Sequence, residues 1–407
     1  MKKIWVGLMF AGLFFTACSG GRGRVTVSIE GLADDSLICS YFTPATIRER
    51  EEVTTLFVGG EKHGEKTEFS IDLPEDGHLY RIFLAPQSFR GDGPKQGMEL
   101  YLGPGERIAV RATYDPKSRV IEYTLAGSEA QQRWRDDEQK LEPLRLQLEM
   151  LGRTARMISP YRRNDSDTVM REMQRLSDSI QRHKEAYIAA HPADPASAYH
   201  LISLPNAERF DSLYRTLDPA VQQGVLREWM DLQLEFLAKQ SATEQAREAV
   251  VEGGSAPDFT LPNRTGGDFT LSSLYGTGKY IVLDFWGTWC GWCMKGMPAM
   301  KQAYEKHRGA VEFVGIDCGD KEEVWRATVE KQQLPWINVR AADDEILVRF
   351  GIEGFPTKMI LDPSGKIVAR YTGEDPAFYT TLDSLVGRSR RAVPACRDSS
   401  SRARLLE

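Results

Sequence analysis

The sequence predicts a multidomain protein: an antiparallel β-sandwich-like domain first, a helical segment in the middle and an α/β domain last. Three observations carry this. Apolar residues alternate with polar ones from about Arg24 to Leu125, leucines recur at helical spacing between Ser128 and Val251, and strand-like and helix-like runs alternate from Pro257 onward. A chain of 407 residues also exceeds one ordinary hydrophobic core, so several domains are expected. The expected boundaries are 24–126, 127–251 and 252–387, with a leader over 1–17, a tether over 18–23 and a disordered tail over 388–407.

In the first domain Val25, Val27 and Ile29 alternate with polar residues, and so do Phe69, Ile71 and Leu73. The same pattern returns at Ile108, Val110 and Ala112, and at Ile121, Tyr123 and Leu125. Pro74-Glu75-Asp76-Gly77 and Gly103-Pro104-Gly105-Glu106 supply turns between such runs. Short strands punctuated this way imply a sandwich or barrel of about a hundred residues. His63 and His78 are isolated, which makes them surface or loop histidines.

In the middle segment glycine becomes rare, and Leu141, Leu144, Leu148 and Leu151 mark one helix face. Further helices are expected over Asp165–Ala190, Ala207–Leu217 and Pro219–Lys239, with His191-Pro192-Ala193-Asp194-Pro195 as a breaker. No pair of Glu-x-x-His motifs suggests a di-metal bundle, so a helical connector is the reading. Glu252-Gly253-Gly254-Ser255-Ala256-Pro257 marks the next boundary.

In the last domain a hairpin is expected around Gly266-Gly267, then a buried strand over Tyr280–Trp286 and a helix ending near His307. A strand over Val311–Asp317 and helices over Lys321–Lys331 and Asp343–Phe350 follow. A hairpin then joins Lys358–Asp362 to Ile367–Tyr371, and a final helix covers Pro376–Val386. The Arg- and Ser-rich end beyond Arg388 is expected to be disordered, and it takes Cys396 with it.

Hydrophobic content of 41% with 27% charged residues fits a folded soluble chain, and a net charge of −6 argues against a nucleic-acid partner. A mean hydropathy of −0.40 excludes a polytopic membrane protein. Lys2 and Lys3 precede an apolar run, Ile4–Phe15, too short for the roughly 20 residues of a spanning helix, so it reads as a secretion signal. Phe15-Thr16-Ala17-Cys18 resembles a bacterial lipobox, which would make Cys18 the lipid-bearing N-terminus; a plain signal peptide cut nearby is the alternative. Ser19-Gly20-Gly21-Arg22-Gly23 would be a flexible tether.

Of six cysteines only Cys290 and Cys293 lie close in sequence, so the chain is not a disulfide-stapled scaffold. The run Trp289-Cys290-Gly291-Trp292-Cys293 sits between the apolar strand and the helix. Two cysteines so spaced can close a small disulfide across a first helical turn. There the unpaired N–H groups and helix dipole stabilise a thiolate. A zinc half-site is the competing reading, but it needs a second ligand pair, and only His307 and Cys318 lie near in sequence. Asp284 lies near the end of the apolar strand, six residues before Cys290, and a strand-end Asp bonded to backbone is one reading of it.

Asp284-Phe285-Trp286-Gly287-Thr288-Trp289-Cys290-Gly291-Trp292-Cys293 with Pro298 beyond it resembles a thioredoxin-fold active site. Ala256-Pro257-Asp258-Phe259-Thr260-Leu261 and Leu271-Ser272-Ser273-Leu274 resemble the lead-in of the TlpA/ResA branch of exported, membrane-tethered thiol–disulfide oxidoreductases. The resemblance covers about residues 256 to 387. The upstream order of elements resembles TlpA-like lipoproteins of Bacteroidetes-type bacteria. It implies that Cys290 is the nucleophile and the more exposed sulfur, Cys293 the resolving thiol, and Asp284 the acid–base group. It also implies that Gly354-Phe355-Pro356-Thr357 is the cis-proline loop, with Trp289, Trp292, Phe355 and Thr357 contacting a protein substrate.

No cofactor or metal is implied beyond a Cys290–Cys293 disulfide. The implied partners are protein thiols and disulfides, a membrane electron donor of the DsbD/CcdA type, and the membrane itself through a lipid anchor. The implied location is the periplasm-facing cell envelope. The chain departs from its branch at two positions. Many TlpA/ResA proteins carry Asn where this chain has Asp284, and Glu where it has Gly296. A peroxiredoxin-like peroxidase is disfavoured because Leu283 and Gly287 replace the Pro and Thr of that motif. A partner-binding lipoprotein with an incidental thiol pair is the non-enzymatic alternative.

Overall fold

Alternation from Arg24 onward builds two sheets around one apolar layer. In the computed structural model, residues 22–87, 97–115, 120–157 and 163–392 are described. The leader, Cys18, most of the tether and Cys396 lie outside them. By contact the chain divides into two units, 1–237 and 238–407.

In the first unit the strands are β1 (Arg24–Glu30), β2 (Ser36–Phe42), β3 (Thr54–Gly59), β4 (Glu61–His63), β5 (Lys66–Asp72), β6 (Tyr80–Pro86), β7 (Met98–Leu102), β8 (Arg107–Asp115) and β9 (Val120–Ala126). One sheet runs β4-β5-β1-β8-β9 and the other β3-β2-β6-β7. Inward residues of both, such as Val25, Val27, Phe69, Leu37, Ile82 and Leu100, share one core. Their alternation is what a sheet with one buried face requires. The sandwich is antiparallel except at one place. β1 and β8 pair in parallel, with strands of both sheets lying between them in the chain.

The helices of this unit are α1 (Pro44–Arg48), α2 (Glu129–Gln139), α3 (Glu142–Met157), α4 (Arg163–Ala190), α5 (Ala196–Leu201), α6 (Ala207–Tyr214) and α7 (Pro219–Gln222), and α8 (Arg227–Ala249) begins in it and ends in the second. Gln131 of α2 closes the open edge of β7, its amide oxygen accepting from the Tyr101 N–H and its amide nitrogen donating to the Tyr101 carbonyl, both at 2.8 Å. That covers an edge that would otherwise expose unpaired backbone groups. The helix expected over Pro219–Lys239 is two. Asp218 caps α7, accepting from the Ala220 N–H, and the chain breaks around Gly224 before α8 begins.

The second unit holds the thioredoxin fold. A hairpin of β10 (Thr260–Pro262) and β11 (Asp268–Thr270) leads into β12 (Tyr280–Trp286), α9 (Gly291–His307), β13 (Val311–Cys318), α10 (Glu322–Lys331), β14 (Ile337–Ala341), α11 (Glu345–Phe350), β15 (Thr357–Leu361), β16 (Ile367–Thr372) and α12 (Pro376–Ala392). The sheet order is β14-β13-β12-β15-β16, with β12, β13 and β14 parallel and β15 and β16 antiparallel to their neighbours. Central β12 is covered on both faces, which explains why it is apolar along its length apart from Asp284. Ile281, Leu283 and Phe285 join one core, while Val282 and Trp286 join the other with Met297 of α9 and Phe378 of α12. By the same alternation Asp284 points to the α9 side. Two expectations are corrected here. β14 had not been foreseen, and α12 continues through Ala392, so residues 388–392 are helical rather than part of a disordered tail.

Candidate active site

The site forms where β12 ends and α9 begins. Cys290 is the N-cap of α9, its backbone still extended, and its Sγ accepts a hydrogen bond from the Cys293 N–H at 3.1 Å. Cys293 lies one turn in, and the two sulfurs form a disulfide. Cap geometry of this kind stabilises negative charge on Cys290 once the bond is reduced. Exposure does not separate the pair. Cys290 is 6% exposed and Cys293 5%, so the expected difference between the sulfurs is absent in the disulfide state; position on the helix distinguishes them instead.

The loop before Cys290 is held from behind. Asp320 accepts from the Thr288 N–H at 2.7 Å and from its hydroxyl at 2.6 Å. Asp317 lies beneath, its carboxyl pushed up to about 9, first by burial and then by Asp320. The indole of Trp289 folds over Gly287, where a Cβ would lie 2.4 Å from Nε1, so a side chain there would displace the ring. That Nε1 donates to the Cys318 carbonyl at 3.1 Å, which gives Cys318 a backbone role in the site.

The Phe355–Pro356 peptide is cis. Phe355 packs edge-on against Trp289 with ring centroids 4.8 Å apart. Trp289 and Trp292 are 57% and 65% exposed, and the Lys295 ammonium lies 4.8 Å from the Trp292 ring centroid. Exposed aromatic rings around a sheltered sulfur offer an apolar landing surface. Thr357 does not join it. Its side chain is buried and its hydroxyl donates to the Gly354 carbonyl at 2.7 Å, closing the loop rather than facing outward.

Asp284 lies in β12 directly opposite Lys358 of β15 and Gly315 of β13. Burial raises its carboxyl from 3.8 to about 6; Lys358 opposes the rise and Glu374 adds to it. Its Oδ1 has no hydrogen-bond partner among the described residues, so the backbone-bonded alternative for this atom does not hold. Lys358, Glu374, Tyr379 and Asp320 had no place in the sequence reading. A lysine inside the apolar run Thr357–Leu361 was the one local signal available. His307, the distant candidate zinc ligand, pairs with Asp383 at 2.6 Å.

Known proteins resemble the chain over this domain. The AhpC/TSA family model matches residues 253–384. Thiol-disulfide oxidoreductase ResA of Bacillus subtilis is 31% identical over 134 residues, spanning 33% of this chain and 74% of that protein. Its namesake from Geobacillus thermodenitrificans is 32% identical over 126 residues, 31% of this chain and 71% of that protein. A solved thioredoxin domain of a Bacteroides vulgatus thiol-disulfide oxidoreductase is 30% identical, covering 33% of this chain and 98% of that one, at a TM-score of 0.31. The fold and the cysteine site define a thioredoxin-superfamily protein. The chain belongs to the ResA-like thiol–disulfide oxidoreductase family.

Proposed function

We propose that this chain is an enzyme that reduces protein disulfides in the cell envelope. The observation that carries the reading is the Cys290–Cys293 disulfide at the start of α9, flanked by the aromatic rim and the Phe355–Pro356 loop. In the reduced chain the Cys290 thiolate attacks one sulfur of a substrate disulfide. A mixed disulfide forms and one substrate thiolate leaves. Cys293 then gives up its proton, with Asp284 as acceptor directly or through water, and attacks the Cys290 sulfur. The second substrate sulfur departs and the internal disulfide is restored. Two electrons have passed from the cysteine pair to the substrate, and no other group is needed. The Phe355 backbone, before the cis-proline, is suited to pairing with an extended substrate segment.

Return to the dithiol requires a donor of two electrons, for which a membrane protein of the DsbD/CcdA type is the proposed source. The chemistry is tested by asking whether the reduced chain cleaves the disulfides of a model protein and whether Cys290→Ser does not.

The location is a separate part of the proposal. Lys2-Lys3, the apolar Ile4–Phe15 and the Ala17-Cys18 junction support export followed by acylation of Cys18. No helix among the described residues is long and apolar enough to cross a membrane. Mass spectrometry of the mature protein from cells is expected to find an acylated Cys18 as the first residue. An unmodified start refutes the anchor and leaves the redox chemistry standing.

A further inference from the structure

The side of β12 facing α9 carries a charged assembly whose members come from outside the cysteine motif. Lys358 is almost wholly buried, and its ammonium donates to Glu374 Oε2 at 2.6 Å while staying 3.9 Å from Asp284 Oδ1. Glu374, between β16 and α12, also accepts from the Tyr379 hydroxyl at 2.6 Å. Its carboxylate occupies space that belongs to α9. A Cβ built on Gly296 would lie 2.3 Å from Glu374 Oε2 and 2.5 Å from its Cδ, so any side chain there would push the carboxylate out of its place. Gly296 is therefore the opening under α9 that admits the group.

We propose that Glu374 is a positioning residue for Asp284: seated under Gly296, it holds the Lys358 ammonium and keeps it from closing on the Asp284 carboxyl. The inference rests on the reading of Asp284 as the acid–base group and names what sets its proton affinity. The charged and titratable groups around Asp284 are Lys358 from β15, Glu374 from the loop after β16 and Tyr379 from α12. β13 offers only Gly315 opposite, and α9 brings the Cys290–Cys293 pair to the same side of the sheet. Loss of Glu374 acts twice in one direction. A negative charge that favours the protonated carboxyl disappears, and the ammonium it held is released toward Asp284. Loss of Lys358 acts oppositely.

The test is a carbon-13 NMR titration of the Asp284 carboxyl in the oxidised full chain. Glu374→Gln is expected to move its midpoint down by about one pH unit and Lys358→Gln to move it up by about one. Gly296→Ala, whose new methyl displaces the Glu374 carboxylate, is expected to shift it downward too, and it serves if Glu374→Gln does not fold. In the reduced chain, the pH profile for resolving the mixed disulfide is expected to follow the same opposed shifts. A merely structural role would not move the midpoint in opposite directions for the two charge-removing variants. Midpoints that stay fixed, or that move the same way in both, overturn the proposal. Opposed shifts in a chain that turns over no disulfide would keep this electrostatic inference and sink the catalytic reading. Normal turnover with unmoved midpoints would do the reverse.

Discussion

Cys293→Ser is expected to stop turnover and to accumulate substrates covalently joined to Cys290. The first attack needs only the Cys290 thiolate, which keeps its place at the N-cap of α9. Release of the mixed disulfide needs the second sulfur, held one turn away and already at bonding distance in the oxidised chain. A well-placed intramolecular group acts as if present at about 10⁵ M or more, so external thiols at millimolar concentration replace it poorly. Resolution therefore slows by several orders of magnitude while attack is little changed. The adducts are expected in non-reducing electrophoresis of cell extracts, to disappear on reduction, and to be missing when Cys290 is replaced as well. Recovering no reducible adduct would count strongly against the assigned roles.

Asp284→Asn is the second large effect, and it has two parts. At neutral pH the variant is expected to resolve the mixed disulfide about a hundredfold more slowly, with a smaller effect on attack, because general acid–base assistance is lost. Equal slowing of both steps would remove the role given to Asp284. The second part concerns stability. The folded state raises this carboxyl from 3.8 to about 6, so the folded form binds the proton more tightly than the unfolded chain. Its contribution is fully present below about pH 4 and is lost as pH rises through 6, where a buried carboxylate must ionise. At roughly 1.4 kcal/mol per pH unit, the loss by pH 8 is on the order of 3 kcal/mol. Asn does not ionise, so denaturant midpoints should show Asp284→Asn more stable than the parent at pH 8 and about equal at pH 4. A parent chain whose stability is flat between those values would contradict the buried-acid account.

How much of this was legible before the structure depends on how local each signal is. β1, β5, β8 and β9 alternate cleanly, because one face of their sheet is buried and the other is polar. β14 was hidden because Asn338 and Arg340 interrupt its apolar pattern and it lies at a sheet edge. The helix break near Gly224 was masked by apolar residues that continue across it, Val225 and Leu226 among them. At the site, the cysteine pair could be read from its spacing, and Pro356 through the family resemblance. Asp284 was readable through the resemblance to the thioredoxin site, but its partners were not. Lys358 reaches it through antiparallel pairing of β12 with β15, and Glu374 through a loop beyond β16; neither leaves a pattern near the cysteines. Gly296 was seen only as a missing glutamate. The structure gives the reason for that glycine, since a carboxylate from elsewhere in the chain stands where a side chain would have pointed.

The proposed chemistry is electron transfer from the Cys290–Cys293 pair to protein disulfides. Its most direct measurement is the rate at which the pre-reduced chain cleaves a model protein's disulfides, followed by alkylation and mass spectrometry of the pair. Substrate thiols are expected to appear in step with loss of alkylatable Cys290 and Cys293, two thiols gained for each pair oxidised, and Cys290→Ser is expected to give none. A chain whose cysteines remain alkylatable while the substrate stays intact would contradict it.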